Sequence, residues 1–274
     1  KLPEVSLPPL DSAWRSYICG YGGQGSNTVT AVLARAGMHQ GYEVTLHNRK
    51  GMAIRNGSVK SVVVFSPRGK ETSPLIPEGG TQLIIGLDIL ETARALDAAH
   101  HISIGSREST CAVVSDARNQ TLESIMGLSD FDPRDLAGQI EPCVRPGGLF
   151  CRDVRSVAER FAGHSRYLNT VLLGAAWQKG WIPLDLNNIE RALAEVMPQD
   201  ERETNGLAFR LGRQLVHREA ALAPPENIRT LDRELEDISR WIAADPGGRK
   251  NSALYGELMA QARQSLDLPE DDLI

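Results

Sequence analysis

Aromatic side chains are scarce, with Phe, Trp and Tyr together making up 5% of the 274 residues. The core must therefore come from Ala, Val, Ile and Leu. The four tryptophans, at 14, 177, 181 and 241, are its few large pieces or else contact anchors. Cysteine is also rare. Cys19, Cys111, Cys143 and Cys151 stand too far apart for a disulfide framework or a zinc pattern. No closely spaced pair of the kind that holds an iron–sulfur cluster is present. Buried free thiols in a reducing compartment are the expectation. No apolar run reaches the ~18 residues a membrane span needs. The stretch KLPEVSLPPLDSAWR lacks the long apolar segment of a secretory signal, so a cytoplasmic location is expected. Charge of one sign is not in excess. Lys and Arg number 30 against 35 Asp and Glu, for a net charge of −5. Nothing in that balance suggests a nucleic-acid partner.

What is present reads as an α/β protein: an open, mostly parallel sheet flanked by helices, with a helical C-terminal extension. Residues 1–14 carry three prolines and read as an arm. A short strand at 17–19 runs into the cluster GYGGQGS, Gly20 to Ser26, and a helix follows over 28–38 with Val29, Val32, Leu33 and Ala36 on one face. Gly41 stops that helix and a second strand covers 42–46, a βαβ opening built around a glycine turn. HNRKGMAIRNG reads as irregular and basic, and 58–65 as a β-branched strand. A strand at 82–85, a helix capped by Asp88 and running through Leu96, and strands at 100–104 and 111–114 follow. Residues 116–155 are weakly periodic, with room for one or two short elements. Helices are expected at about 157–161, 165–179, after the cap-like 186–188, and over 203–219. Beyond Pro224-Pro225 the stripe Leu231, Leu235, Ile238 and Ile242 predicts an amphipathic helix, with a last helix near 251–266.

The glycine cluster supports three readings. Gly20, Gly22 and Gly25 satisfy G-x-G-x-x-G between a strand and a helix, the context of a dinucleotide site and hence of a freestanding Rossmann-type oxidoreductase. Glu43, however, lies near the start of the second strand rather than at its end, where a ribose-binding acid belongs. The second reading is a tight turn with no ligand, and the third a loop presenting backbone N–H groups at an interface or the edge of an active site. Gln24 either reaches such a mouth or satisfies the turn itself. Arg55, with Asn56 and Ser58 beside it, either pairs with a carboxylate or phosphate as a bidentate fork or makes a salt bridge. Arg49 and Lys50 read as solvated or interface charge. Glu91 and Arg94 share a helical turn and can pair. His47 is a candidate proton carrier with no visible partner.

The order of these motifs resembles the gamma domain of 2-oxoacid:ferredoxin oxidoreductases. GYGGQGS is similar to that family's G-x-G-G-Q-G opening, and GMAIRNGSVKS, Gly51 to Ser61, to its G-x-x-x-R-G-G-x-V-x-S stretch, with Asn56 in place of a glycine. SPLIPEGGTQLIIGLDILETARAL, Ser73 to Leu96, puts Asp88, Glu91 and Arg94 at matching positions, with Gln82 replacing an acid. YLNTVLLGAAWQKGWIPL and NGLAFRLGR resemble the closing helices. The resemblance looks strongest to the small subunit of indolepyruvate or related aryl 2-oxoacid (phenylglyoxylate-type) enzymes. It implies a pyruvate/ketoisovalerate oxidoreductase gamma-type domain over 15–222, set between the arm at 1–14 and a helical extension over 223–274 that lies outside the resemblance. It further implies a subunit without a cofactor of its own. Thiamine diphosphate, Mg²⁺ and [4Fe-4S] clusters are expected in a large partner subunit. Ferredoxin or another module is the expected electron acceptor, and coenzyme A a cosubstrate. Gly22, Gly23, Gln24, Gly25, Ser26, Arg55, Asn56 and Ser58 become candidates for the active-site shell or for contact with substrate or coenzyme A. A purely structural assembly subunit is the remaining alternative.

Overall fold

The computed structural model describes residues 2–50, 57–70, 72–97, 103–117, 119 and 131–217. Six strands form one sheet: β1 (Trp14–Tyr21), β2 (Glu43–Lys50), β3 (Ser58–Ser66), β4 (Leu83–Gly86), β5 (Cys111–Ser115) and β6 (Leu149–Arg152). Their order across the sheet is β2-β3-β1-β4-β5-β6. Strands β1, β4, β5 and β6 pair in parallel, while β3 runs antiparallel to both of its neighbours. The sheet is thus mostly parallel and open, as expected. Seven α-helices flank it among the described residues: α1 (Ser26–Gln40), α2 (Ile89–Leu96), α3 (Pro133–Ile140), α4 (Val154–Ala162), α5 (Leu168–Gln178), α6 (Leu186–Val196) and α7 (Arg202–Leu215).

Alternation along the strands divides the core in two. On one face Trp14, Ile18, Val63, Phe65, Leu83, Ile85 and Val113 pack against α1, α4, α5, α6 and α7. On the other, Tyr17, Cys19, Val62, Val64, Ile84, Ala112 and Val114 pack against the shorter α2 and α3. Helix α5 is buried along its whole length. It can sit so deep because it crosses α7 at two glycines. A Cβ on Gly174 would lie 2.1 Å from Phe209 O, and one on Gly212 would lie 1.8 Å from Val171 O. The arm from Leu2 onward lies on this helical side, where Val5, Leu7 and Leu10 join the core and Gln178 Nε2 donates to Pro3 O at 3.0 Å.

Several expectations are corrected here. The second strand does not end at Leu46. It continues through His47-Asn48-Arg49-Lys50, because Arg49 and Lys50 pair with Lys60 and Val59 on β3. The opening is not a simple βαβ unit, since β3 intrudes between β1 and β2. No strand forms at 103–104, and the rest of the proposed 100–104 strand lies outside the described residues. The weakly periodic 116–155 region supplies α3 and the edge strand β6. Trp14, Trp177 and Trp181 are buried in the chain's own core. Trp241 and the helices expected after Pro224 lie outside the described residues.

Candidate functional site

Strand β1 continues through α1 to one edge of the sheet, while β4 continues through α2 toward the other. Their carboxyl ends therefore bound the topological switch point, where open α/β sheets form their ligand crevice. The glycine turn sits there. Gly25 takes a left-handed conformation, with φ +82°, where a side chain would be strained. A Cβ on it would also lie 2.1 Å from Asn169 Nδ2, which donates to Gly25 O at 3.2 Å. A Cβ on Gly20 would meet Gln24 Oε1 at 2.5 Å and Leu87 Cβ at 2.9 Å. The glycines thus make room for side chains of this same chain.

Gln24 fills the space between the two strand ends. Its Oε1 accepts from Tyr21 N at 2.7 Å, and its Nε2 donates to Leu87 O at 3.3 Å. Both ends of the amide are used, one within the turn and one on the chain just past β4. Gly22 and Gly23 are exposed, and Ser26 is buried at the start of α1, with no side chain capping that helix. Gly22 N donates to Gly57 O at 2.9 Å, and Tyr21 pairs with Ser58. The structure thereby brings the start of β3 against the glycine turn. Arg55 and Asn56 lie outside the described residues; β2 ends at Lys50 and β3 begins at Ser58, both at this end of the sheet.

Beneath the turn lies a set of polar groups that the sequence offered only as a cap and a pair. Asp88 and Glu91 are each 1% exposed. Asp88 caps α2 by accepting from Glu91 N at 2.9 Å, and Asn119 Nδ2 donates to its other oxygen at 2.5 Å. Arg155 in turn donates to Asn119. Burial raises the Asp88 carboxyl above the usual range, against the pull of Asn119 and the helix N–H groups. Glu91 accepts from Ser58 Oγ on one oxygen and from Arg94 Nη1, at 2.7 Å, on the other. The Arg94 side chain is 54% exposed. The Tyr21 phenol is pushed up to about 12, chiefly by burial and then by Asp88 and Glu91, with Arg94 opposing. Arg94 is thus a half-exposed cation beside Tyr21 at the end of β1. A buried carboxylate fixes its position.

The Cys19 thiol on this face is not an activated nucleophile. Burial pushes the Cys19 thiol up to about 12. Among the described residues no group of three or more His, Cys, Asp or Glu is placed to hold a metal ion. His47 stands apart, on the β2 side of the sheet. Sequence reasoning missed Tyr21, Asn119, Arg155 and Asn169. Asn169 meets Gly25 across 144 positions, and neither spacing nor periodicity marks the pair.

A family profile described as pyruvate ferredoxin/flavodoxin oxidoreductase matches residues 15–215, well over half of the chain. The chain belongs to that family. Indolepyruvate oxidoreductase subunit IorB of Archaeoglobus fulgidus is 28% identical over 200 residues, covering 71% of this chain and 91% of the relative. The same subunit of Methanothermobacter thermautotrophicus is 27% identical over 197 residues, covering 72% and 94%. The fold is shared with the gamma subunit of keto/oxoacid ferredoxin oxidoreductase from Geobacter sulfurreducens. That structure has a TM-score of 0.51 and 18% identity, covering 74% of this chain and 98% of the other. It is shared too with 2-oxoglutarate:ferredoxin oxidoreductase from Magnetococcus marinus, with a TM-score of 0.54 and 20% identity. There the match covers 78% of this chain and 32% of the larger one. Within the pyruvate ferredoxin/flavodoxin oxidoreductase family, then, the match spans the sheet, its two helical layers and the crevice just described.

Proposed function

We propose that this chain is the small subunit of a complex that oxidatively decarboxylates aryl 2-oxoacids such as indolepyruvate. The acyl group would go to coenzyme A and the electrons to ferredoxin or another acceptor, in the cytoplasm. The observation that carries the reading is the match along nearly the whole length of two indolepyruvate oxidoreductase subunits. Thiamine diphosphate with Mg²⁺ and [4Fe-4S] clusters, held by a large partner subunit, would supply carbanion stabilisation and one-electron transfer. The contribution of this chain is position and exclusion of water. The glycine turn forms a stiff wall at the switch point, stiff because Gln24 ties it to Leu87 and Asn169 wedges it from below. Arg94, oriented by Glu91, supplies a fixed positive charge for a substrate carboxylate or a coenzyme phosphate. Arg55 and Asn56, with Ser58, would complete that shell.

One observation favours a second reading, an assembly subunit that touches no substrate. Both ends of the Gln24 amide are satisfied within this chain, by Tyr21 N in the turn and Leu87 O just past β4. A dinucleotide-binding enzyme fits less well, since Gln24, Leu87 and Asn169 crowd the turn that a pyrophosphate would approach. Purification of the untagged protein from its own cell tests all three. A larger thiamine- and iron-containing partner, with viologen reduction dependent on indolepyruvate and coenzyme A, is the expected result. A cofactor-free homo-oligomer would overturn the reading, and a bound nicotinamide or flavin would favour the dinucleotide enzyme. An assembled complex whose turnover is unchanged by Arg55→Ala and Arg94→Met would leave the assembly role alone standing.

A further inference from the structure

On the α2 side of the sheet the strands carry a cationic cavity, with Ala95 of α2 in its lining. His47 on β2 and Tyr17 on β1 flank Val62 in register, and Arg49 and Cys19 flank Lys60 two residues along. Strand alternation puts all of these on one face. The face opens into a cavity of about 250 Å³ lined by Tyr17, His47, Arg49 and Lys60 at its polar end. Its other wall includes Leu75, Ile76 and Ile104. Leu75, 71% exposed, stands at the lip.

Three features set this cavity apart from an ordinary solvated basic patch. No side-chain hydrogen bond or ion pair joins Arg49 or Lys60 to a carboxylate among the described residues. Tyr17 is only 9% exposed, lines the cavity, and makes no side-chain hydrogen bond within the described chain. Its hydroxyl is not sealed from solvent, so it can donate to a molecule held in the cavity. Finally, apolar side chains line the same open cavity as the charges, a combination that suits a compact molecule with an apolar body.

We propose that this cavity binds a small organic anion with an apolar body. Its carboxylate or phosphate would sit between Arg49 and Lys60 and accept a hydrogen bond from Tyr17, and its body would lie against Ile76 and Ile104. The site does not depend on the proposed complex. It uses groups of this chain alone and can be tested without catalysis.

The test is calorimetric titration of the full-length chain with four probes. Indole-3-acetate and phenyl phosphate carry both charge and body. Inorganic phosphate carries the charge alone, and tryptophol the body alone. At least one organic anion should bind, with both controls at least tenfold weaker, and which anion binds tighter identifies carboxylates or phosphate esters as the ligand source. Arg49→Met with Lys60→Met should weaken binding at least tenfold, and Tyr17→Phe several-fold, as expected for the loss of charge-assisted and neutral hydrogen bonds. Methyl NMR of the unmutated chain covers the case in which a variant does not fold. Saturation with the organic anion should shift Ile76 and Ile104, and leave Ile18 on the opposite face unmoved. The proposal falls if neither organic anion binds, if either control binds as tightly, if folded variants bind unchanged, or if the shifts appear elsewhere.

Discussion

Gln24 Nε2 donates to Leu87 O across 3.3 Å, so a single side chain in the glycine turn clasps the ends of strands β1 and β4. The same amide accepts from Tyr21 N through Oε1. Gln24→Ala leaves one backbone donor and one acceptor without these partners at a half-buried site. A loss of about 1–3 kcal/mol is expected, measured by urea unfolding. Gln24→Glu should also destabilise, because a carboxylate oxygen would then face Leu87 O. If Gln24→Ala unfolds at the unmutated midpoint, the clasp carries no stability and the amide is free for another use.

The two positive-φ glycines of the turn should respond differently. Gly23, at φ +100°, has open space where a Cβ would go, whereas at Gly25 the Cβ would collide with Asn169 Nδ2. Gly23→Ala therefore carries only the backbone penalty, about 1–2 kcal/mol. Gly25→Ala carries the same penalty plus displacement of Asn169, and should cost at least twice as much by the same measurement. Equal costs would mean that Asn169 moves aside freely.

Glu91 serves two donors, Ser58 and Arg94, from a buried position. Ser58→Ala should cost about 1–3 kcal/mol by leaving a buried carboxylate oxygen under-satisfied. Combined with Glu91→Gln, the two changes should be non-additive by more than about 0.5 kcal/mol. Strict additivity in a double-mutant cycle would show that the contact contributes nothing.

The thiols give a pH prediction. Burial raises Cys19 to about 12 from its ordinary 9.0, so the native state keeps a proton that the unfolded chain releases. The stabilisation is complete below about 9 and is lost as pH rises toward about 12. Stability should therefore fall with alkaline pH less steeply in Cys19→Ala than in the unmutated chain. In alkylation at pH 8 the half-buried Cys143 should react before the buried Cys19 and Cys111. Early labelling of Cys19 would contradict its burial.

The legible parts of the fold were those with local punctuation. Strand β1, helix α1, β3, β4 and the Asp88 cap of α2 are each bounded by glycine, proline or a capping acid, and each carries its own apolar pattern. β2 beyond Leu46 was not legible, because His47-Asn48-Arg49-Lys50 has no apolar period and is held extended only by pairing with β3. β6 is four residues long and took its place from β5. The insertion of β3 between β1 and β2 is a tertiary choice that leaves no trace in either strand. At the site, the glycine turn announced itself. The partners of Gln24 did not, because they are main-chain atoms whose residue types carry no message. Asn169 was hidden by distance along the chain.

The edge strand β2 carries a consequence for solubility. Among the described residues it ends the sheet and has no strand on its outer side, the kind of edge onto which a second chain can extend a sheet. Its last four residues, His47 to Lys50, are polar or basic. A second copy adding in parallel and in register would bring like charges together. The run that disguised this strand in the sequence thus also protects it from joining edge to edge with another copy, and neutral β-branched residues there would keep the fold while turning the edge into a template for aggregation.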